Sequence, residues 1–178
     1  SDTKADDEAL HETIKLVSVK TAPPETDPAE TDPPPQTPAT HKPTLVVLHV
    51  WARLARYWRG ERLIEVATKA GLTATDKNIF QFFHQNNSTT PLFHVANKTE
   101  PGTFEWDKMK QFKTQGVSLF MELPVFCSAD EAFLLMHACA QRFADLLDGE
   151  ILDRHHKPIE QQTIDEIHQM CRTMDGET

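Results

Sequence analysis

The chain has 178 residues and a formal net charge of −9, which is enough length for one domain with a real core and the wrong charge for a default polyanionic partner such as nucleic acid. The longest uninterrupted aliphatic run in the first half is Leu45-Val46-Val47-Leu48, so neither a signal peptide nor a membrane span is legible. Three cysteines, Cys127, Cys139 and Cys171, have no paired spacing and read as free, mostly buried thiols of a reducing compartment.

Residues 1–43 hold eight of the twelve prolines and seven threonines, and no aromatic residue or glycine. Nine acids against four lysines give this stretch a charge of −5. Such a composition cannot bury enough apolar surface to offset its chain entropy, and the expectation is a disordered, partly extended linker. The piece ALHETIKLVSV is amphipathic enough for transient helix. The chain starts at Ser1 and is read as a fragment.

All fourteen aromatics and all six glycines fall in 44–178, which is therefore the expected folded domain. TLVVLHV (44–50) alternates as a strand. RGERLIEVATKAG carries a helical stripe of Leu63, Val66, Ala67 and Ala70, closed by Gly71. KNIFQFFH (77–84) reads as a strand, NNSTT as a turn and PLFHVANK (91–98) as the next strand. PGTFEWDKMKQF predicts a short helix with Thr103 as its cap, and GVSLFMEL a further strand. The order is βαββαβ, a split β-α-β arrangement. A long helix follows, opened by a Ser128/Glu131 capping box and ended by Gly149. EILD and KPI are expected to pair as a hairpin across RHH. A last amphipathic helix bears Ile164, Ile167, Cys171 and Met174, with Thr163 and Glu166 as a second capping box.

The fold class expected is thus α+β: a mostly antiparallel sheet with helices on one face and the other face open. The more apolar phase of each strand should face the helices: Val46, Leu48, Val50, Phe93, Val95, Val117, Leu119 and Met121. The open phase is Leu45, Val47, His49, Ala96, Lys98, Ser118 and Phe120. Within it Leu45, Val47, Ala96 and Phe120 form an apolar patch with polar rims. Phe120, a large aromatic between Ser118 and Glu122, is out of place on a wetted face. Such a patch is either an interaction site or is covered by the last helix or the linker.

Enzyme chemistry is not legible. The sequence lacks a Gly-rich phosphate loop, H-E-x-x-H, G-x-S-x-G and C-x-x-C. His137 and Cys139 do not share a helix face; Cys139 reads as core, His155–His156 as a solvated turn, and Asp145 and Asp148 as solvated charges. Trp51 and Trp58 flank the basic loop ARLARY, and both read as packing residues, as does Trp106. No catalytic residue, metal ligand or cofactor is expected.

KAGLTATDKNIFQFFH, LFHVANKTEPGTFEWDKMKQF, GVSLFMELP and GEILD together resemble the C-terminal domain of the ZipA family of bacterial cell-division proteins, over essentially residues 44–174. The succession ANxxxPGTF, M, F, GVxxFMxxP is the specific part. The resemblance implies a non-enzymatic adaptor whose open face binds the C-terminal tail of FtsZ, the tubulin-like division GTPase, as a helix or extended segment in a shallow apolar groove. It also implies a place at the division site, on the cytoplasmic side of the inner membrane, through an N-terminal transmembrane helix that is not in this chain. Carried over by position, the groove comprises Leu45, Val47, Lys77, Ala96, Lys98, Glu100, Ser118, Phe120 and His156. Where relatives place apolar residues this chain has Lys77 and Lys98, and where a basic residue is familiar it has Glu100; lysine stems still cover apolar surface. The alternative reading is an RNA-binding-domain-like module, which shares the βαββαβ order and displays aromatics on its open face.

Overall fold

The computed structural model describes residues 42–176. The chain divides into two units, Ser1–Lys42 and Pro43–Thr178, and the linker expected over 1–43 lies outside the described residues except for Lys42 and Pro43. The second unit runs β1 (Thr44–Ala52), a 3₁₀ turn (Arg53–Ala55), β2 (Trp58–Arg59), α1 (Gly60–Lys69), β3 (Thr73–Ala74), β4 (Phe80–Phe83) and β5 (Pro91–Asn97). It continues with a second 3₁₀ turn (Trp106–Lys108), β6 (Lys113–Thr114), β7 (Gly116–Leu123), α2 (Ala129–Leu147), β8 (Gly149–Leu152) and α3 (Gln161–Gly176).

Six strands form one sheet in the order β3-β4-β5-β7-β1-β8, and every neighbouring pair is antiparallel. β2 and β6 form a separate two-stranded ribbon. The class is α+β with a mostly antiparallel sheet, as the strand alternation indicates. Val46, Leu48, Val50, Phe93, Val95, Val117, Leu119 and Met121 are all buried, on the phase read as helix-facing. They meet Ala132, Phe133, Met136, Cys139, Ala140 and Phe143 of α2 in one core. α3 packs beside α2 and sends Cys171 into the same core.

The helix ends show what local signals can do. α1 closes in a Schellman arrangement: the Leu72 N–H donates to the Ala67 carbonyl at 2.9 Å and the Gly71 N–H to that of Thr68 at 3.0 Å. Gly71 takes φ +83, a conformation that its missing Cβ permits. At the start of α2 the Ser128 hydroxyl accepts from the Glu131 N–H at 3.2 Å, the first half of the expected box. The second half is different: Glu131 lies 3.4 Å from His84. The first turn of α2 is capped instead by Asp175 of α3, whose carboxylate accepts from the N–H groups of Ala129 and Asp130 at 2.7 and 3.1 Å.

Three other expectations are corrected. Residues 103–112 hold only a 3₁₀ turn, and Thr103 caps nothing there. Phe104 is buried with its N–H on the Asn78 carbonyl, and the Trp106 indole donates to the Thr75 carbonyl; these distant anchors hold the segment out of helix. α2 ends on Asp148 in the left-handed conformation (φ 55, ψ 58), one residue before Gly149. Gly149 opens β8, where a Cβ would stand 2.9 Å from the Trp58 ring and 3.0 Å from Val50. α3 begins at Gln161, so Thr163 lies inside its first turn, with its N–H on the Glu160 carbonyl. The expected hairpin across 154–156 is present as a Leu152–Pro158 bridge and an Ile159 N–H to Ile151 carbonyl bond, although β8 takes its main partner in β1.

Candidate functional site: the open face of the sheet

In an antiparallel sheet, residues directly opposite one another share a face. Register therefore lays out the open face in rungs. One runs Gln81, His94, Phe120, Val47 across β4, β5, β7 and β1. The next runs Ala96, Ser118, His49, Leu152 across β5, β7, β1 and β8. Leu45 stands opposite Glu122 at one end, and Trp51 opposite Gly116 and Glu150 at the other.

Phe120 sits at the centre of this arrangement. Its ring is half-buried and stacks on His94, centroids 5.0 Å apart at 28°. Gln81, itself buried, donates from Nε2 to Nδ1 of His94 at 3.0 Å. A primary amide can only donate from nitrogen, so this bond leaves the neutral His94 proton on Nε2. Burial lowers the His94 pKa, Lys77 adds to that, and Glu122 opposes it.

The Trp51 end is aromatic and cationic. His49 Nδ1 is 2.7 Å from the Ser118 hydroxyl. The His156 ring lies 4.5 Å from that of His49 and 4.8 Å from that of Trp51. Lys98 Nζ lies over the Trp51 ring, 4.2 Å from its centroid, a cation–π arrangement. Burial lowers the His49 pKa, His156 adds to that, and Asp153 opposes it. Two cavities flank the face. One of about 380 Å³ lies between residues 44–48 of β1 and Thr163, Ile167 and Met170 of α3. The other, about 350 Å³, runs from His94 and Glu122 toward Pro124 and Phe126.

The nine residues carried over from the family motif are placed as follows. Val47, Ala96, Ser118 and Phe120 are half-buried neighbours on adjacent rungs. Leu45 continues the same phase of β1 and is 53% exposed. Lys98 and His156 converge on Trp51. Lys77 lies in the turn before β4, exposed and acting on His94. Glu100 is exposed in the turn ahead of Gly102, and among the described residues no hydrogen bond or ion pair joins it to the face. Residue-by-residue reading left out His94, Gln81 and Trp51. The signal for His94 was present, since it lies between the inward Phe93 and Val95. Trp51 stays in phase with His49, one residue beyond the expected end of β1 at Val50, but reads as a packing residue.

Among the described residues no group of three or more His, Cys, Asp or Glu side chains could hold a metal ion, and no helix is long and apolar enough to cross a membrane. Cys139 and Cys171 are buried, and burial pushes their thiols up to about 12 and about 11.

Over residues 44–170 the chain matches the family described as ZipA, C-terminal FtsZ-binding domain. It is similar to a cell division protein ZipA of Hamiltonella defensa subsp. Acyrthosiphon pisum (strain 5AT), with 35% identity over 141 residues, 75% of this chain and 51% of that relative. The chain thus spans about half the length of the curated relative it matches.

Proposed function

The chain belongs to the family of ZipA C-terminal FtsZ-binding domains, and from that membership we propose that its open sheet face takes the C-terminal tail of FtsZ. The domain is then a non-enzymatic adaptor of cell division. Its peptide groove is floored by Leu45, Val47, Ala96 and Phe120 and rimmed by Ser118, Lys77, Lys98, Glu100 and His156. In a longer protein the Pro- and Thr-rich residues 1–43 would serve as a spacer to a membrane anchor, and the domain would help hold the division ring at the inner membrane.

The observation that carries this reading is Phe120. A half-buried ring in the middle of a sheet face, in register with Val47 and stacked on His94, has the character of an anchor for an apolar side chain from a partner. Among the described residues α3 takes its main packing partner in α2 rather than in the sheet. Lys98 and Lys77 add charge at the rim, where exposed pairs contribute roughly 0.2–1 kcal/mol each. The test is a titration of fluorescently labelled FtsZ tail peptide against the chain, beside a single-stranded RNA of similar length. Saturable binding of the peptide alone is expected, weakening modestly as salt rises. Binding of the RNA in place of the peptide would overturn the proposal.

A further inference from the structure

The Trp51 end of the face is more polar than an apolar peptide requires. Within a few ångströms it gathers His49, His156, the Lys98 ammonium and the Trp51 ring. From this juxtaposition, and resting on the reading of the face as a peptide groove, we infer that His49 and His156 select a segment bearing a carboxylate, and that binding it takes up protons.

His49 and His156 differ from His94 in what protonation would cost. His94 Nδ1 accepts a hydrogen bond from the buried Gln81 amide. A proton there would set two donors against each other, and the amide would have to turn over. His49 Nδ1 faces the Ser118 hydroxyl instead. A hydroxyl rotates from donor to acceptor, so His49 gains a proton without losing that bond. His156 lies in an exposed turn with its ring against both His49 and Trp51.

The surroundings of His49 disfavour its charged form before a ligand arrives. His49 is half-buried and faces a second imidazole, and both facts disfavour a cation there. Asp153, at the end of β8, is the acid that acts in the opposite direction. Its Oδ1 already accepts from the N–H groups of His155 and Lys157. From β8, Glu150 stands opposite Trp51 but lies 3.7 Å from Arg53. From β5, Lys98 adds a positive charge, and β7 contributes the neutral Ser118. Arg154, His155 and Lys157 complete the turn that carries His156. A carboxylate docked among His49, His156 and Lys98 would offset the disfavoured charge and favour the His49 imidazolium. By linkage, affinity for such a segment rises as pH falls through the range where His49 takes up its proton.

The experiment uses the whole chain and two synthetic peptides, the FtsZ tail and a version with each Asp and Glu replaced by Asn or Gln. Dissociation constants are measured at about pH 7.5 and about pH 5.5 at a fixed ionic strength of about 0.15 M. Titration calorimetry in two buffers of different ionisation heat counts protons taken up. The acidic peptide is expected to bind roughly two- to tenfold tighter at the lower pH, the gain of one or two charge pairs at a surface, with net proton uptake. The neutralised peptide should lack both effects. In His49→Asn/His156→Asn the ratio of the two affinities should fall toward one, whereas His94→Asn should keep it. Should the double variant not fold, His156→Asn alone provides the readout: its position has φ 66, which Asn tolerates, and the ratio should drop partway. Tail binding that is flat or weaker on acidification, or a ratio that survives the double substitution, overturns the inference and leaves the groove standing. Absence of tail binding at either pH overturns the groove and this inference together.

Discussion

The ring of His94 stacks on that of Phe120 across the β5–β7 ladder, 5.0 Å between centroids. Leu119, the next residue along, is wholly buried on the opposite face against the helix-side core. Adjacent positions of one strand thus belong to two different environments, and a matched pair of substitutions separates binding from folding.

Phe120→Ala should remove most tail affinity, at least about 2 kcal/mol or roughly thirtyfold, as truncation of a central aromatic anchor does. Its melting temperature should stay near the parent's, because the stack with His94 is its one ring contact among the described residues. Leu119→Ala should cost about 2–5 kcal/mol of stability by opening a cavity in the core. Melting curves and peptide titrations of both variants check this. Equal melting losses would show that the two faces are not distinct, and normal tail affinity in Phe120→Ala would move the groove elsewhere.

Asp175 caps α2 from α3, accepting from two backbone N–H groups and from the Ser128 hydroxyl at 2.9 Å. Those bonds, led by the one from Ala129, hold its carboxyl below the ordinary 3.8. A group whose pKa is depressed on folding contributes stability that is complete above its unfolded value and is lost as pH falls through its folded one. Asp175→Asn should therefore melt earlier than the parent at neutral pH. The gap should hold down to about the ordinary 3.8 and close as pH falls below it, through the depressed carboxyl pKa of the folded parent. Melting temperatures across that range measure it; a gap that does not change with pH would mean the carboxylate's charge is irrelevant to the cap.

How much of this was legible in the sequence follows the range of the interactions. Gly71 was readable because a Schellman close involves neighbours only, and the face of Phe120 because strand alternation is local. The partner of a helix terminus is not local. Asp175 lies 46 residues from Ala129 along the chain, so nothing near Ser128 advertises it. The segment at 103–112 has helix-compatible residues, but Phe104 and Trp106 are pinned by the carbonyls of Asn78 and Thr75, contacts that override propensity. The rungs of the open face also needed the register. Phase alone put Phe120 outward, but only pairing sets His94 behind it and Trp51 under Lys98.

Gly149 illustrates a glycine required by packing rather than by its backbone angles. The site where its Cβ would stand is bounded by the Trp58 ring at 2.9 Å, a Val50 methyl at 3.0 Å and the Trp51 carbonyl at 3.1 Å. Two of these are core side chains that cannot swing aside. Gly149→Ala should cost about 1–3 kcal/mol as overpacking, seen as an earlier denaturant midpoint with unchanged slope. A neutral result would show that Trp58 yields readily.

Asn97 ends β5 immediately before Lys98, and its buried side chain ties three segments together. The Thr114 hydroxyl of β6 donates to its Oδ1 at 2.6 Å, and its Nδ2 donates to the Thr103 carbonyl at 3.3 Å. The same Thr114 oxygen accepts from the Gly116 N–H at 3.3 Å, so one hydroxyl links the end of β5 to the start of β7. Thr114→Val keeps the shape and deletes the hydroxyl. It should strand the Asn97 carbonyl oxygen without a donor, at a cost of about 1–3 kcal/mol. The expected signature is a lower melting temperature with faster amide exchange at Asn97, Lys98 and Gly116. Thr114→Ser, which restores the hydroxyl, should recover most of the loss. If Thr114→Val is as stable as the parent, or Thr114→Ser is no better than it, then the hydrogen bond does not hold the Lys98 end of the face in place.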